Sequence, residues 1–220
     1  MLLRIVCLLV TTTILLAGCS VPPTVRRSLA TPYHPVNVTR LAEVLPDTIR
    51  RVAILPIPRS RTDSNQAAGA DALEPEFRAE LHKLKKFEVI PVSPEKLHVL
   101  TGGTDWAADD RLPADFFERL RQATGCDAII FLSLTTFRAY PPLQVGWKAR
   151  LVDCEKHLTW WAVDEVFDAG GNAVAAAAVG FANRELNLPE SAADGAAVLR
   201  SPRRFGQYTA NAIVNTLPGR

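Results

Sequence analysis

The body of the chain opens with a run that has no polar side. In "RRVAILPI", Val52, Ala53, Ile54, Leu55 and Ile57 are apolar on both alternating faces, which predicts a strand buried on two sides. Leu73, Phe77, Leu81 and Leu84 then recur at helical spacing, with Glu74, Glu76, Arg78, Glu80, Lys83 and Lys85 expected on the other faces. "FEVIPV" reads as a second short strand, so strand, helix and strand make a crossover unit. Thr101-Gly102-Gly103-Thr104 predicts a loop. Pro113 opens a helix in which Phe116, Phe117, Leu120 and Ala123 share a face, and Gly125 marks its end.

"CDAIIFLSLTTF" is the most strongly β-forming run and is expected at the centre of the sheet. After Tyr140-Pro141-Pro142 the pattern changes. Val145, Trp147, Ala149 and Leu151 alternate with Lys148 and Arg150, which predicts an antiparallel strand with one wet face. "LTWWAVDEVFDA" continues the meander up to Gly170-Gly171. Asn172 can cap a helix through the alanine run to about Leu186, and a last helix starts at Ser201-Pro202, carries Phe205, Tyr208, Ala212 and Ile213, and stops before Pro218. The expected fold class is α/β (α+β): a mixed β-sheet of about five strands in the order β-α-β-α-β-β-β-α-α, with helices packed on it, in one globular domain over residues 49–220.

The N-terminal pattern is of another kind. Ile5 to Leu16 is a 12-residue run of apolar residues and threonine, short of the roughly 20 needed to span a bilayer. Arg4 before it and Ala17-Gly18 after it give the layout of an export signal, residues 1–18, cut before Cys19. Leu16-Ala17-Gly18-Cys19 resembles the lipobox of bacterial lipoproteins. That resemblance implies a diacylglycerol on the Cys19 sulfur and a further acyl chain on its amine, a stable multi-chain membrane anchor. The alternative is an ordinary secretory signal with an incidental cysteine. Ser20 in the next position resembles lipoproteins sorted to the outer membrane, which implies a site there facing the periplasm. Pro22, Pro23, Pro32, Pro35 and Pro46 suit an extended spacer, so residues 19–48 are expected to be the lipidated cysteine and a Pro-rich tether.

Charge and cysteine usage narrow the function classes. The 220-residue chain carries a formal net charge of +2, and loss of Arg4 with the leader makes it still less basic, so it lacks an electrostatic footprint for nucleic acid. Of four cysteines, Cys7 leaves with the leader and Cys19 is lipidated, leaving Cys126 and Cys154 in a compartment where disulfides persist. If the strands flanking Tyr140-Pro141 form a hairpin, partner numbers sum to about 281, and Cys126 and Cys154 fall nearly opposite each other, within disulfide range. A disulfide, two buried free thiols and a reactive thiol are the three readings.

No catalytic, metal-ligating or cofactor-binding pattern is found. His34, His82, His98 and His157 are scattered, and no Gly-x-Ser-x-Gly elbow or phosphate loop occurs. Asp164 and Glu165, with Asp168 nearby, could suggest paired carboxylates, but adjacent strand residues point to opposite faces, which favours solvation or a backbone bond. Trp147, Trp160 and Trp161 concentrate three of the four tryptophans, and in a regular strand Trp160 faces away from Trp161. Trp160 with Lys148 and Arg150 is therefore the candidate partner-binding face. Arg200, Arg203 and Arg204 read as a solvated helix start.

Taken in order, the lipobox, the Pro-rich tether, "VAILPI", "FEVIPV", "GCDAIIFLSL" and the meander through "LVD" and "TWWAVDEVFDA" resemble a known periplasmic domain. It is the domain shared by penicillin-binding-protein activator lipoproteins, curli-secretion lipoproteins and the N-terminal part of TolB. The likeness covers about residues 50–187 and implies a noncatalytic adaptor or assembly lipoprotein that binds another envelope protein. The curli-secretion pore needs an added barrel-forming segment, and the sequence has no spare one. The alternative function is an envelope hydrolase acting on cell-wall glycan or peptide. Partner identity and oligomeric state are not encoded in any motif.

Overall fold

In the computed structural model the residues described are 33–185 and 195–220, so the leader, Cys19 and the start of the tether lie outside them. The apolar runs become one six-stranded sheet: β1 (Val38–Arg40), β2 (Arg51–Ile54), β3 (Glu88–Pro91), β4 (Ala128–Arg138), β5 (Gln144–Asp153) and β6 (Thr159–Asp168). Their spatial order is β1-β6-β5-β4-β2-β3. β2 runs parallel to β3 and β4, β4 to β6 form the antiparallel meander, and β1 adds antiparallel to β6. The sheet is mixed, as expected, with one strand more than about five.

Among the described residues five α-helices pack on it: α1 (Ser64–Lys83), α2 (Pro94–Thr101), α3 (Phe116–Thr124), α4 (Asn172–Glu185) and α5 (Pro202–Val214). One sheet face carries the larger core, where Trp147, Trp161 and Phe167 meet Leu73 and Phe77 of α1, Phe181 of α4, and Phe205 and Ile213 of α5. The other face carries a smaller core, where Ala53, Ile129 and Phe131 meet Leu97 of α2 and Phe116 and Leu120 of α3. At Gly206 a Cβ would lie 2.2 Å from Leu73 Cδ2, so the close approach of α5 to α1 depends on that glycine.

Three features depart from the sequence reading. First, β1 lies inside the segment expected to be tether: Val38 pairs with Val163, Thr39 with Ala162 and Arg40 with Trp161. Second, α2 was not anticipated. Its stop and start signals were present, since Ser93 caps Lys96 N and Gly102 closes it at φ 82°, but Leu97 is its one buried residue, so no apolar stripe exists. Third, Glu74, Glu76 and Glu80 of α1 are buried rather than solvated.

Those three carboxylates are paired because α1 is covered on two sides, by the sheet and by α5. Glu74 is met by Arg59 at 2.8 Å and by Arg78. Glu76 accepts from Arg203 Nε, an arginine that itself stays largely exposed at the start of α5, as expected of that helix start. Glu80, 1% exposed, accepts from Lys83, from Gln207 Nε2 at 3.0 Å and from Asn211 Nδ2 at 2.9 Å. Buried charge persists only when it is paired and hydrogen-bonded in this way.

Candidate functional site: the open half of one sheet face

Lys148 and Arg150 alternate with Trp147, Ala149 and Leu151, so the pleat sends them away from the larger core. The ladder fixes their neighbours on that face: Phe131 and Ser133 on β4, Ala162 and Asp164 on β6, and beyond them Thr39 on β1. Val166, opposite Gly146, belongs to the same face. Over β2 and β4 this face is covered by α2, α3 and the loop between them. Over β5, β6 and β1 no element among the described residues covers it, and Asn37, Thr39, Lys148, Arg150, Ala162 and Asp164 line a shallow depression.

Asp109, in the loop from α2 to α3, marks the border between the two halves. Lys148 Nζ hydrogen-bonds to its Oδ2, and Arg150 Nη2 lies 2.7 Å from its Oδ1. The hydrogen bond from Lys148, with Arg150 beside it, holds the Asp109 carboxyl below its ordinary value. All three side chains keep a third to a half of their surface in water, so each pair contributes only about 0–1 kcal/mol.

Trp160 does not join this face. Leu151 pairs with Trp161 and Val152 with Thr159, so Trp160 is an extra residue in a β-bulge. It packs against the larger core beside Trp161, and its Nε1 is buried with no hydrogen-bond partner among the described residues. The expected trio of Trp160, Lys148 and Arg150 is thus split across the sheet, because the alternation that would have set Trp160 opposite Trp161 is interrupted there. Val166, 47% exposed, is the apolar residue that the open half does present. The signal for it was its place in the alternation between Glu165 and Phe167.

Asp164 and Glu165 point to opposite faces, as expected. Glu165 is buried and accepts from Tyr33 Oη at 2.8 Å, Val36 N at 2.8 Å and Asn37 N at 3.2 Å. The Tyr33 ring meets Phe167 edge-on at 5.6 Å. This clasp is what turns residues 33–40 from spacer into sheet edge. Burial first, then the Glu165 carboxylate, pushes the Tyr33 hydroxyl up to about 12.

Ala128 pairs with Asp153, the register that the hairpin argument requires. Cys126 and Cys154 are consequently neighbours, two buried free thiols with their sulfurs 3.7 Å apart inside the smaller core. The hydrogen bond from Cys154 draws the Cys126 thiol below its ordinary value, while that shared contact and burial push Cys154 up. His157 stacks on Phe117 at 4.4 Å. Among the described residues, no three His, Cys, Asp or Glu side chains gather in a metal-binding group.

No known protein family and no curated protein sequence matches the chain. Among solved structures it is similar to lipoprotein GNA1162 from Neisseria meningitidis, at 21% identity and TM-score 0.39 over 56% of this chain and 82% of that one. It is also similar to a PelC dodecamer subunit from Paraburkholderia phytofirmans, at 14% identity and TM-score 0.37 over 76% of this chain and 96% of that one. TolB from Acinetobacter baumannii matches at 15% identity and TM-score 0.31, over 70% of this chain but 32% of that one. Likenesses at this level assign neither a family nor an activity.

Proposed function

We propose that this chain is a lipid-anchored, noncatalytic adaptor or assembly protein of the bacterial cell envelope, docking another envelope protein on the open half of its sheet. The observation that carries the reading is the uncovered stretch over β5, β6 and β1, beside a stretch of the same face closed by two helices. Leu16-Ala17-Gly18-Cys19 supplies the anchor, and Ser20 favours the outer membrane facing the periplasm. A hydrolase acting on wall glycan would bring two carboxylates to one cleft. Here Glu165 is committed to the Tyr33 clasp on the far side from Asp164, which supports binding over catalysis.

The test is photo-crosslinking in living cells. A crosslinkable residue placed at Val166 should capture one discrete partner, and the same residue at Val99, exposed on α2, should not. An identical adduct pattern from both positions would remove the assignment of the docking face. Cys19→Ala should release the protein from the membrane fraction; unchanged fractionation would remove the anchor.

A further inference from the structure

The open half already holds a contact that behaves like a bound ligand. Lys148 and Arg150 stand two residues apart on one face of β5 and divide a single carboxylate between them, the ammonium at Asp109 Oδ2 and the guanidinium at Oδ1. The register partner of Lys148 is Asp164, yet the ammonium reaches out of the sheet to the loop. Among the described residues, the polar ties of residues 107–112 to other elements are those made by Asp109; the rest, such as Ala107 N to Asp110 Oδ2, stay within the loop. The carboxylate is therefore seated by the two cations, and its half-exposed side chain leaves it replaceable.

We propose that Lys148 and Arg150 form a carboxylate-binding site for an acidic segment of the partner protein, and that Asp109 is its resident occupant, displaced on docking. This rests on the open half of the sheet being the docking surface. The protein's own side chain reports the ligand chemistry: one planar carboxylate, met by a fork-shaped guanidinium on one oxygen and a point charge on the other. The depression beside the pair gives an incoming segment its way in along Asn37 and Thr39. Asp164 repels a carboxylate that strays toward β6, so it confines the exchange to the place Asp109 now fills. An internal occupant lowers apparent affinity by the fraction of molecules in which the site is closed. Removing it should raise affinity without adding any contact.

The full-length mature protein in detergent is titrated, by fluorescence anisotropy, against a short labelled Glu/Ser peptide and its Gln/Ser counterpart. Asp109→Asn should bind the Glu/Ser peptide about tenfold more tightly than the unaltered protein does. Adding Lys148→Gln and Arg150→Gln should reduce that binding to the level of the Gln/Ser peptide. Because these side chains are partly exposed, unchanged thermal unfolding of each variant verifies the fold. If Asp109→Asn binds no more tightly, or if its gain survives loss of the two cations, the site is overturned. A Val166 adduct that persists beside such a failure leaves the docking face standing and rejects the carboxylate exchange alone.

Discussion

Phe131 and Val166 lie on the same face of one sheet, yet Phe131 is 2% exposed and Val166 is 47% exposed. Phe131 stacks on Phe116 of α3 at 5.9 Å and has Ala53, Ile129 and Leu97 in the same cluster. Val166 has Asp164 for its neighbour along that face, with Lys148 one strand away. The neighbours decide the outcome. A helix laid over β5 and β6 would have to strip water from Lys148, Arg150 and Asp164, at a cost that one valine and one alanine cannot offset. The smaller core ends at the first charged pair of the sheet, and Asp109 closes that border with a carboxylate instead of an apolar side chain.

The contrast can be broken most directly at its covered end. Phe131→Ala should cost about 3–5 kcal/mol in urea unfolding, because it opens a cavity under Phe116 and Phe117. A loss below about 1 kcal/mol would mean that this half is held no more firmly than the open one. Next comes the thiol pair in the same core. Treatment with oxidised glutathione should join Cys126 to Cys154, each of the two thiols passing its hydrogen to the disulfide reagent. The intact mass then falls by two hydrogens and stability rises by about 3 kcal/mol. Two thiols that still titrate after prolonged oxidation would leave the pair reduced.

The open half depends on its edge strand, so Glu165→Ala should cost about 2–3 kcal/mol and speed hydrogen exchange at Val36 and Asn37. The clasp also has a pH signature. The Tyr33 hydroxyl sits above its ordinary value of 10.0, at about 12, so its contribution is complete below pH 10 and lost as pH climbs toward 12. Stability should fall over that alkaline range, and Tyr33→Phe should flatten the fall. The smallest effect is at the open surface itself. Val166→Ser should change stability by less than about 0.5 kcal/mol while lowering partner capture.

Elements whose periodicity is long were legible in the sequence. The parallel crossover followed from "RRVAILPI", its helix and "FEVIPV", the meander from "CDAIIFLSLTTF" and the alternation in "VGWKARLVD", and the register from a turn at Tyr140-Pro141, down to the juxtaposition of Cys126 and Cys154. What escaped was decided by contacts far apart in the chain. Val38–Arg40 is too short to show a period, and its pairing depends on Glu165, more than 120 residues later. Glu80 looks like a solvent-facing residue until α5 brings Gln207 and Asn211 to it. Trp160 was misplaced because a bulge leaves no mark on the apolar count. Of the candidate face, Lys148 and Arg150 were legible from their alternation, whereas Asp109 sits in a loop without periodicity and could be assigned only in space.

Because Tyr33 is fastened at Glu165, the proposed lipid anchor at Cys19 would have a shorter leash to the folded body than the proline content of residues 19–48 implies. With Cys19 as the point of attachment, 13 residues lie between it and Tyr33, a reach of at most about 50 Å even when fully drawn out. Had the chain stayed loose as far as Ile49, that radius would be about 105 Å. A body anchored as proposed would search only a thin layer above its bilayer, and the proposed partner would have to present its own surface within that layer.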